Sequence, residues 1–277
     1  MSHKADSGKS YHLKCTGDAL STADAHSKPN DLTLFGSCFC PFVQRVWVAL
    51  EEFGIDYQVH EVDPYKKPPE LLEVSPKGLV PGLKFNNTTP SKSLNESTVI
   101  LEYLEDLANR DLGKSLLPPT SDLYGRALVR LQADHVNRNL VPAFYKYLQA
   151  QDIDKQIEGV KEFLSSIEGL VQLFERAEKE SDSKVGLWHA GNSLSLADVV
   201  AGPWLFRATN VLKHYRGFTL PEGDKFRVYL DRLVNYPAFK RTCSTEELYL
   251  ESYERYAYNR PNTSQVANAI NLGRALP

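Results

Sequence analysis

The 277-residue chain is short of the residues that usually announce a special chemistry. It has four cysteines and one methionine. The cysteines stand at 15, 38, 40 and 243 with no regular spacing, which counts against a disulfide-stapled secreted scaffold. Cys38 and Cys40 lack a second Cys or His pair at ligand spacing, so no metal site is expected. No apolar run approaches the roughly 18 residues a membrane helix needs, so no membrane span is expected. Positive charge is not in excess either: a formal net charge of −3 argues against a general nucleic-acid or membrane-surface binder. The first 30 residues contain no arginine, carry three aspartates and have no apolar core of the signal-peptide kind. Neither a secretory signal nor a mitochondrial presequence is expected, and the cytoplasm is the expected compartment. Residues 1–29 are expected to form a mobile arm. Repeats and low-complexity tracts are missing too. What remains is ordinary: 42% hydrophobic and 24% charged residues, enough for two modest domains with a sizeable core.

The chemistry concentrates in residues 31–54, DLTLFGSCFCPFVQRVWVALEEFG. Leu32 to Phe35 reads as a short strand and Gly36-Ser37 can turn it. After Cys40-Pro41, the apolar positions Val43, Val46, Trp47 and Leu50 make one face of a helix. Pro41 suits the first turn, where the amide it lacks would be unpaired anyway. Cys40 therefore lies at a helix N-terminus, where free amides and the helix dipole favour a thiolate. The alternative is a small buried hydrophobe that happens to precede a helix.

The chain continues with a strand at Tyr57–Val62, parallel to the first through a βαβ unit. Residues 63–76 are too rich in Pro and Lys for a regular strand. Leu83 and Phe85 begin a third strand after Gly-Leu-Val-Pro. Val80-Pro81 is a candidate cis bond, with a trans proline in a loop as the alternative. A turn at 86–91 leads to a fourth strand at Ser93-Leu94, antiparallel to the third. Ser97 is the expected N-cap of a helix striped by Val99, Ile100, Tyr103, Leu104 and Leu107. This makes a βαβ-ββα domain over 30–109, followed by a Gly- and Pro-rich linker at 110–120. Beyond it no strand is expected. A long helix over Tyr124–Leu148, kinked at Val141-Pro142, precedes helices at 160–177, 196–205, 224–234 and 245–258. Ser195-Leu196-Ala197-Asp198 is a capping box, and its reading is purely structural. The helical domain is expected over 121–260, and 261–277 as a loose tail.

These pieces resemble a cytosolic glutathione transferase: a thioredoxin-like βαβ-ββα domain, a Pro-Pro linker and an all-helical domain. Cys40-Pro41-Phe42 resembles the omega class, and the run Cys-Pro-Phe-Val-Gln-Arg-Val-Trp is similar to fungal omega-class and plant lambda-class members. Gly-Leu-Val-Pro at 78–81, Glu96-Ser97 and Ser195–Asp198 fall at family spacing, and the resemblance covers roughly residues 31–258.

The resemblance implies glutathione as co-substrate, no metal cofactor, and Cys40 as the nucleophile. Val80, ahead of a cis Pro81, would offer its backbone to the cysteinyl part of glutathione. Glu96 would pair with the γ-glutamyl ammonium, and Ser97 with its amide would hold the γ-glutamyl carboxylate. Lys67 would lie near the glycyl carboxylate, in a loop whose path Pro64 puts in question, and Phe42 would pack beside the thiol. With Val rather than Cys at position 43, monothiol chemistry is implied. Deglutathionylation, dehydroascorbate reduction and thiolysis of α-thioketones are the expected reactions. Cys38 reads as a buried strand-end residue. For the second substrate, Tyr124, Arg130, Asp134, Arg138 and Phe144 on the long helix are candidates, with Trp204 and Tyr215 as aromatic walls. The competing reading is a binder of aromatic or polyphenolic compounds in the interdomain cleft, with little turnover. A homodimer through the first domain and the long helix is the family expectation.

Overall fold

The computed structural model describes residues 11–221 and 223–277. Its first domain is built on β1 (Leu32–Gly36), a strand buried along its whole length. β2 (Gln58–Glu61) pairs with it in parallel, β3 (Gly82–Phe85) pairs antiparallel on the other side, and β4 (Lys92–Asn95) adds to β3, giving the order β2-β1-β3-β4. This is the expected βαβ-ββα arrangement. The crossover from β1 to β2 is a helix, Pro41–Phe53, that ends at Gly54 in the left-handed conformation (φ 67°). Its apolar face, Val43, Val46, Trp47 and Leu50, packs on the sheet beside a helix at Ser97–Leu112. A one-and-a-half-turn helix, Pro69–Val74, supplies Leu71 and Val74 to a small separate cluster with Phe35 and Val62.

In chain order the helices are α1 (Gly17–Ala25), α2 (Pro41–Phe53), α3 (Pro69–Val74), α4 (Ser97–Leu112), α5 (Leu123–His135), α6 (Val141–Gln149), α7 (Ile153–Glu180), α8 (Leu196–Arg207), α9 (Lys213–Arg216), α10 (Asp224–Asn235), α11 (Pro237–Lys240), α12 (Glu246–Ala257) and α13 (Gln265–Asn271). Between α5 and α6 the chain makes one wide π-helical turn, Val136–Leu140. The distortion expected at Val141-Pro142 takes this form because Pro142 has no amide to continue the regular hydrogen-bond ladder. α8 is buried on nearly every side and forms the centre of the helical domain. Its start is fixed by the capping box: Ser195 Oγ accepts the Asp198 amide at 3.3 Å, and Asp198 Oδ2 accepts the Ser195 amide at 2.8 Å.

Two expectations fail at the ends of the chain. Residues 11–29 do not hang free; residues 1–10 lie outside the described residues. Cys15, Ala19 and Ala23 are buried. The Ala19 amide donates to the Cys243 carbonyl at 3.0 Å, Thr22 Oγ1 donates to the Arg241 carbonyl at 2.8 Å, and the Cys15 amide donates to Glu61 Oε1 at 2.8 Å. Alanines four apart bury a helix face too small to register as hydrophobic patterning. At the other end, 261–277 is not a loose tail. Ser264 caps α13 by accepting the Ala267 amide at 2.9 Å, and Gln149 Nε2 donates to the Ala267 carbonyl at 3.2 Å. The linker is also anchored. α4 runs on to Leu112, Leu116 and Leu117 are buried, and the Leu116 carbonyl accepts the Leu196 amide at 2.8 Å.

Candidate functional site

Cys40 occupies the N-cap of α2 with extended backbone (φ −77°, ψ 121°). A Cβ on Gly36 would stand 2.6 Å from Val43 Cγ1, so glycine at that position lets the first turn of α2 sit directly on the end of β1. The Cys40 amide donates to the Ser37 carbonyl at 3.0 Å, and its own carbonyl accepts the Gln44 amide at 3.1 Å. The helical domain clamps the same turn: Arg207 Nη2 and the Tyr253 hydroxyl both donate to the Phe39 carbonyl, at 3.0 and 3.3 Å.

Burial pushes the Cys40 thiol above its ordinary pKa, against the Val43 and Phe42 amides and the charges of Arg207 and Arg45, which all pull it down. The amides and the two cations that favour a thiolate are in place, and burial works against them. The thiol sits 3.9 Å from the Val80 carbonyl, placed to donate to it.

Cys38 turns away and is buried. Its Sγ donates to the His12 carbonyl at 3.3 Å, and burial, helped by Glu61, pushes its thiol up to about 12. Burial likewise raises Cys243 to about 12 and Cys15 further still.

Two adjoining cavities meet at Phe42, Leu79, Val80 and Val266. One, of about 390 Å³, contains Cys40, Phe42, Lys67 and Val80. The other, of about 300 Å³, contains Phe42, Val80, Pro81, Glu96 and Ser97. Every residue expected to meet glutathione is thus on one continuous surface. The Val80-Pro81 bond is cis. Glu96, not Ser97, is the N-cap of α4, and Ser97 is the first helical residue. Glu96 adopts a left-handed backbone (φ 67°), unfavourable for a side chain with a Cβ; such residues cluster at ligand sites. The first amides of α4 have no partner within the helix, so its start suits a carboxylate. Lys67 (φ 48°) reaches the thiol cavity past Pro64, laying its stem over Gly78 and donating from Nζ to the Lys77 carbonyl at 2.7 Å.

The residues expected for the second substrate are elsewhere. Tyr124 bonds Glu180 and Arg176 at 2.6 and 2.8 Å on the surface. Arg130 pairs with Glu102 at 3.1 Å, and Asp134 with Arg138 at 2.8 Å. These faces of the long helix point to solvent and to α4, not to either cavity. Trp204 is fully buried beneath Arg45, Phe144 is core, and the Tyr215 hydroxyl donates to the Leu250 carbonyl at 2.7 Å. The walls facing Cys40 are instead Tyr65, Tyr145 on α6, Tyr253 and Tyr256 on α12, and residues 262–266 entering α13. One signal for α12 was present in the sequence: Tyr249, Tyr253 and Tyr256 recur at helical spacing.

A model of the glutathione S-transferase N-terminal domain matches residues 34–114. Among solved structures, glutathione transferase Omega 3C from Trametes versicolor is 35% identical and superposes with a TM-score of 0.74, covering 88% of this chain and 98% of that one. Glutathione S-transferase DHAR2 of Arabidopsis thaliana is 26% identical over 78% of this chain and 89% of its own length. Glutathione S-transferase omega-1 of Sus scrofa is 27% identical over 64% of this chain and 66% of its own length. With the thioredoxin-like sheet, the cysteine at the α2 cap and the helical domain behind it, the chain belongs to the glutathione transferase family, in its omega class.

Proposed function

We propose that this protein is a glutathione-dependent thiol transferase and reductase that works through a mixed disulfide at Cys40. The observation that carries this is the placement of one thiol on the wall of a cavity. Of the four cysteines, Cys40 alone lines the paired cavities, at a helix cap, and the same surface ends in Glu96, Ser97 and the N-terminus of α4. The polar groups fit a tripeptide with two carboxylates and one ammonium. Glu96 matches the ammonium, Ser97 with the α4 amides one carboxylate, Lys67 the other, and the Val80 backbone the cysteinyl unit. Phe42 packs beside the sulfur.

In the reaction, the Cys40 thiolate attacks the glutathionyl sulfur of a mixed disulfide and expels the substrate thiolate, which takes up a proton. A glutathione thiolate then attacks the same sulfur, freeing Cys40 and releasing glutathione disulfide. Dehydroascorbate and α-thioketones are further candidate oxidants of the same thiol pair. Exposure to oxidised glutathione is expected to add one glutathione to wild type and to Cys38→Ser, mapped to Cys40 by mass spectrometry. An adduct on Cys38, or none, would overturn the proposal.

A second reading has its own support. Six aromatic rings (Phe39, Phe42, Tyr65, Tyr145, Tyr253 and Tyr256) enclose the thiol cavity, which suits a planar aromatic ligand. Binding of aromatics by a protein that takes no glutathione adduct would favour a carrier over an enzyme.

We place the protein in the cytoplasm, where its four unpaired cysteines would stay reduced; no helix among the described residues is long and apolar enough to cross a membrane. A homodimer is part of the same proposal. Val99 on α4 and Leu131 on α5 are large apolar side chains left about half exposed on neighbouring helices. Light scattering at micromolar concentration is expected to give twice the chain mass; a single-chain mass would remove this element.

A further inference from the structure

Two guanidinium groups lie in the interior behind Cys40. Arg45 and Arg207 are each 1% exposed. Neither has a carboxylate partner among the described residues. Arg45 donates from Nε to the Val200 carbonyl at 3.0 Å and stacks on Trp204, 4.3 Å from the ring centre, and on Phe42, 5.4 Å away. Its Nη2 has no hydrogen-bond partner. Arg207 donates from Nη1 to Gln44 Oε1 at 2.7 Å and to the Pro203 carbonyl at 2.8 Å, and from Nη2 to Phe39; it stacks on Tyr249 and Tyr253. Its Nε is unpartnered. Every partner is neutral.

A buried cation without an anion is costly, and a well-packed apolar side chain would usually be more stable in its place. Two of them, set on the residues that flank one thiol, Phe39 and Phe42, call for an anion that the resting protein does not supply. Burial penalises the Arg45 cation, while Tyr145 and, after it, Cys40 would favour it when charged; Arg207 and Arg45 in turn pull the thiol down.

We propose that Arg45 and Arg207 are positioning residues for the Cys40 thiolate: a buried pair of cations, held by carbonyls, an amide and aromatic faces, whose charge is balanced when Cys40 gives up its proton or its sulfur leaves a mixed disulfide. Other titratable groups surround the sulfur. Cys38 lies two residues upstream, Lys67 borders the cavity from its loop, Tyr65 stands beside that loop, Tyr145 comes from α6, and Tyr253 and Tyr256 come from α12. The tyrosines are neutral at working pH, Lys67 is engaged with Lys77, and a third buried arginine, Arg255, stacks on Tyr65 and Tyr11; Arg207 and Arg45 are the cations that pull the thiol down.

The inference rests on Cys40 being the reacting thiol, and the test separates the two. The rate of alkylation by iodoacetamide is followed at Cys40 itself, by peptide mapping, against pH. Arg45→Met keeps a stem against Trp204 and Phe42 but removes the charge. The midpoint of the rate profile is expected to rise by about one pH unit. The rate at neutral pH should fall by about threefold, because the more basic thiolate recovers part of the loss in nucleophilicity. A merely structural role gives the opposite sign: a loosened α2 would admit water, lower the midpoint and speed alkylation. Arg45→Gln, which keeps a donor for the Val200 carbonyl, serves the same comparison if the methionine variant is unfolded. An unchanged or lowered midpoint overturns the inference while leaving the mixed-disulfide proposal standing. A wild-type Cys40 that alkylates no faster than buried Cys38 overturns both.

Discussion

Cys40→Ser is expected to lose glutathione-dependent thiol transfer by a factor on the order of 10³ or more, the scale for removing an enzyme nucleophile. The substitution is nearly isosteric and leaves the cap of α2, the Ser37 carbonyl contact and both cavities in place. What it removes is the sulfur that must carry the mixed disulfide; an alcohol oxygen forms no such bond and stays protonated at any working pH. Steady-state turnover on a small glutathionyl disulfide measures the loss, with Cys38→Ser as the comparison. Cys38 is buried and bonded to the His12 carbonyl, so its replacement should leave turnover within about twofold. A Cys40→Ser protein that turns over at the wild-type rate would remove Cys40 from the mechanism.

Trp204→Ala is expected to destabilise the protein by about 3–5 kcal/mol. The ring is fully buried, has Phe42 edge-on at 4.8 Å and carries the Arg45 guanidinium over its face. Truncation opens a cavity in the middle of α8 and strips one stacking surface from a cation that already lacks a full set of hydrogen bonds. The urea midpoint reports the loss. KM for a disulfide substrate, measured where the variant remains folded, should change little. A raised KM with unchanged stability would return Trp204 to the cavity wall, where the sequence had suggested it.

That error shows where sequence reasoning was strong and where it ran out. The strand, turn and cap around Cys40 follow from local pattern: apolar alternation, a glycine against Val43, a proline in the first helical turn. The residues from Lys67 to Ser97 that the family resemblance assigns to glutathione share one surface. The cavity's other wall was not legible. Tyr145, Tyr253, Tyr256 and residues 262–266 come from helices far apart in the chain, and which helix faces the thiol is decided by packing around α8. On α5, polar residues such as Arg130 and Asp134 lie on faces that periodicity alone cannot assign to cleft or solvent. The buried ends escaped for another reason. Ala19, Ala23, Ala267 and Ala269 bury small surfaces within polar sequence; the Ala19 amide is held by the Cys243 carbonyl of the helical domain, and the Ala267 carbonyl by Gln149 Nε2 of α6.

The Phe39 carbonyl, held by Arg207 and Tyr253, has a consequence for how the protein is made. Tyr253 and Phe39 are 214 residues apart in the chain. At ordinary rates of synthesis, Cys40 emerges from the ribosome roughly 10–40 s before its clamp exists. Throughout that interval the βαβ half can pair its strands, but the thiol has neither its aromatic walls nor its buried cations. The nascent chain thus presents an unsheltered cysteine that the finished protein encloses. The last helices to be translated both complete the reaction chamber and end the period in which that sulfur is open to any passing oxidant.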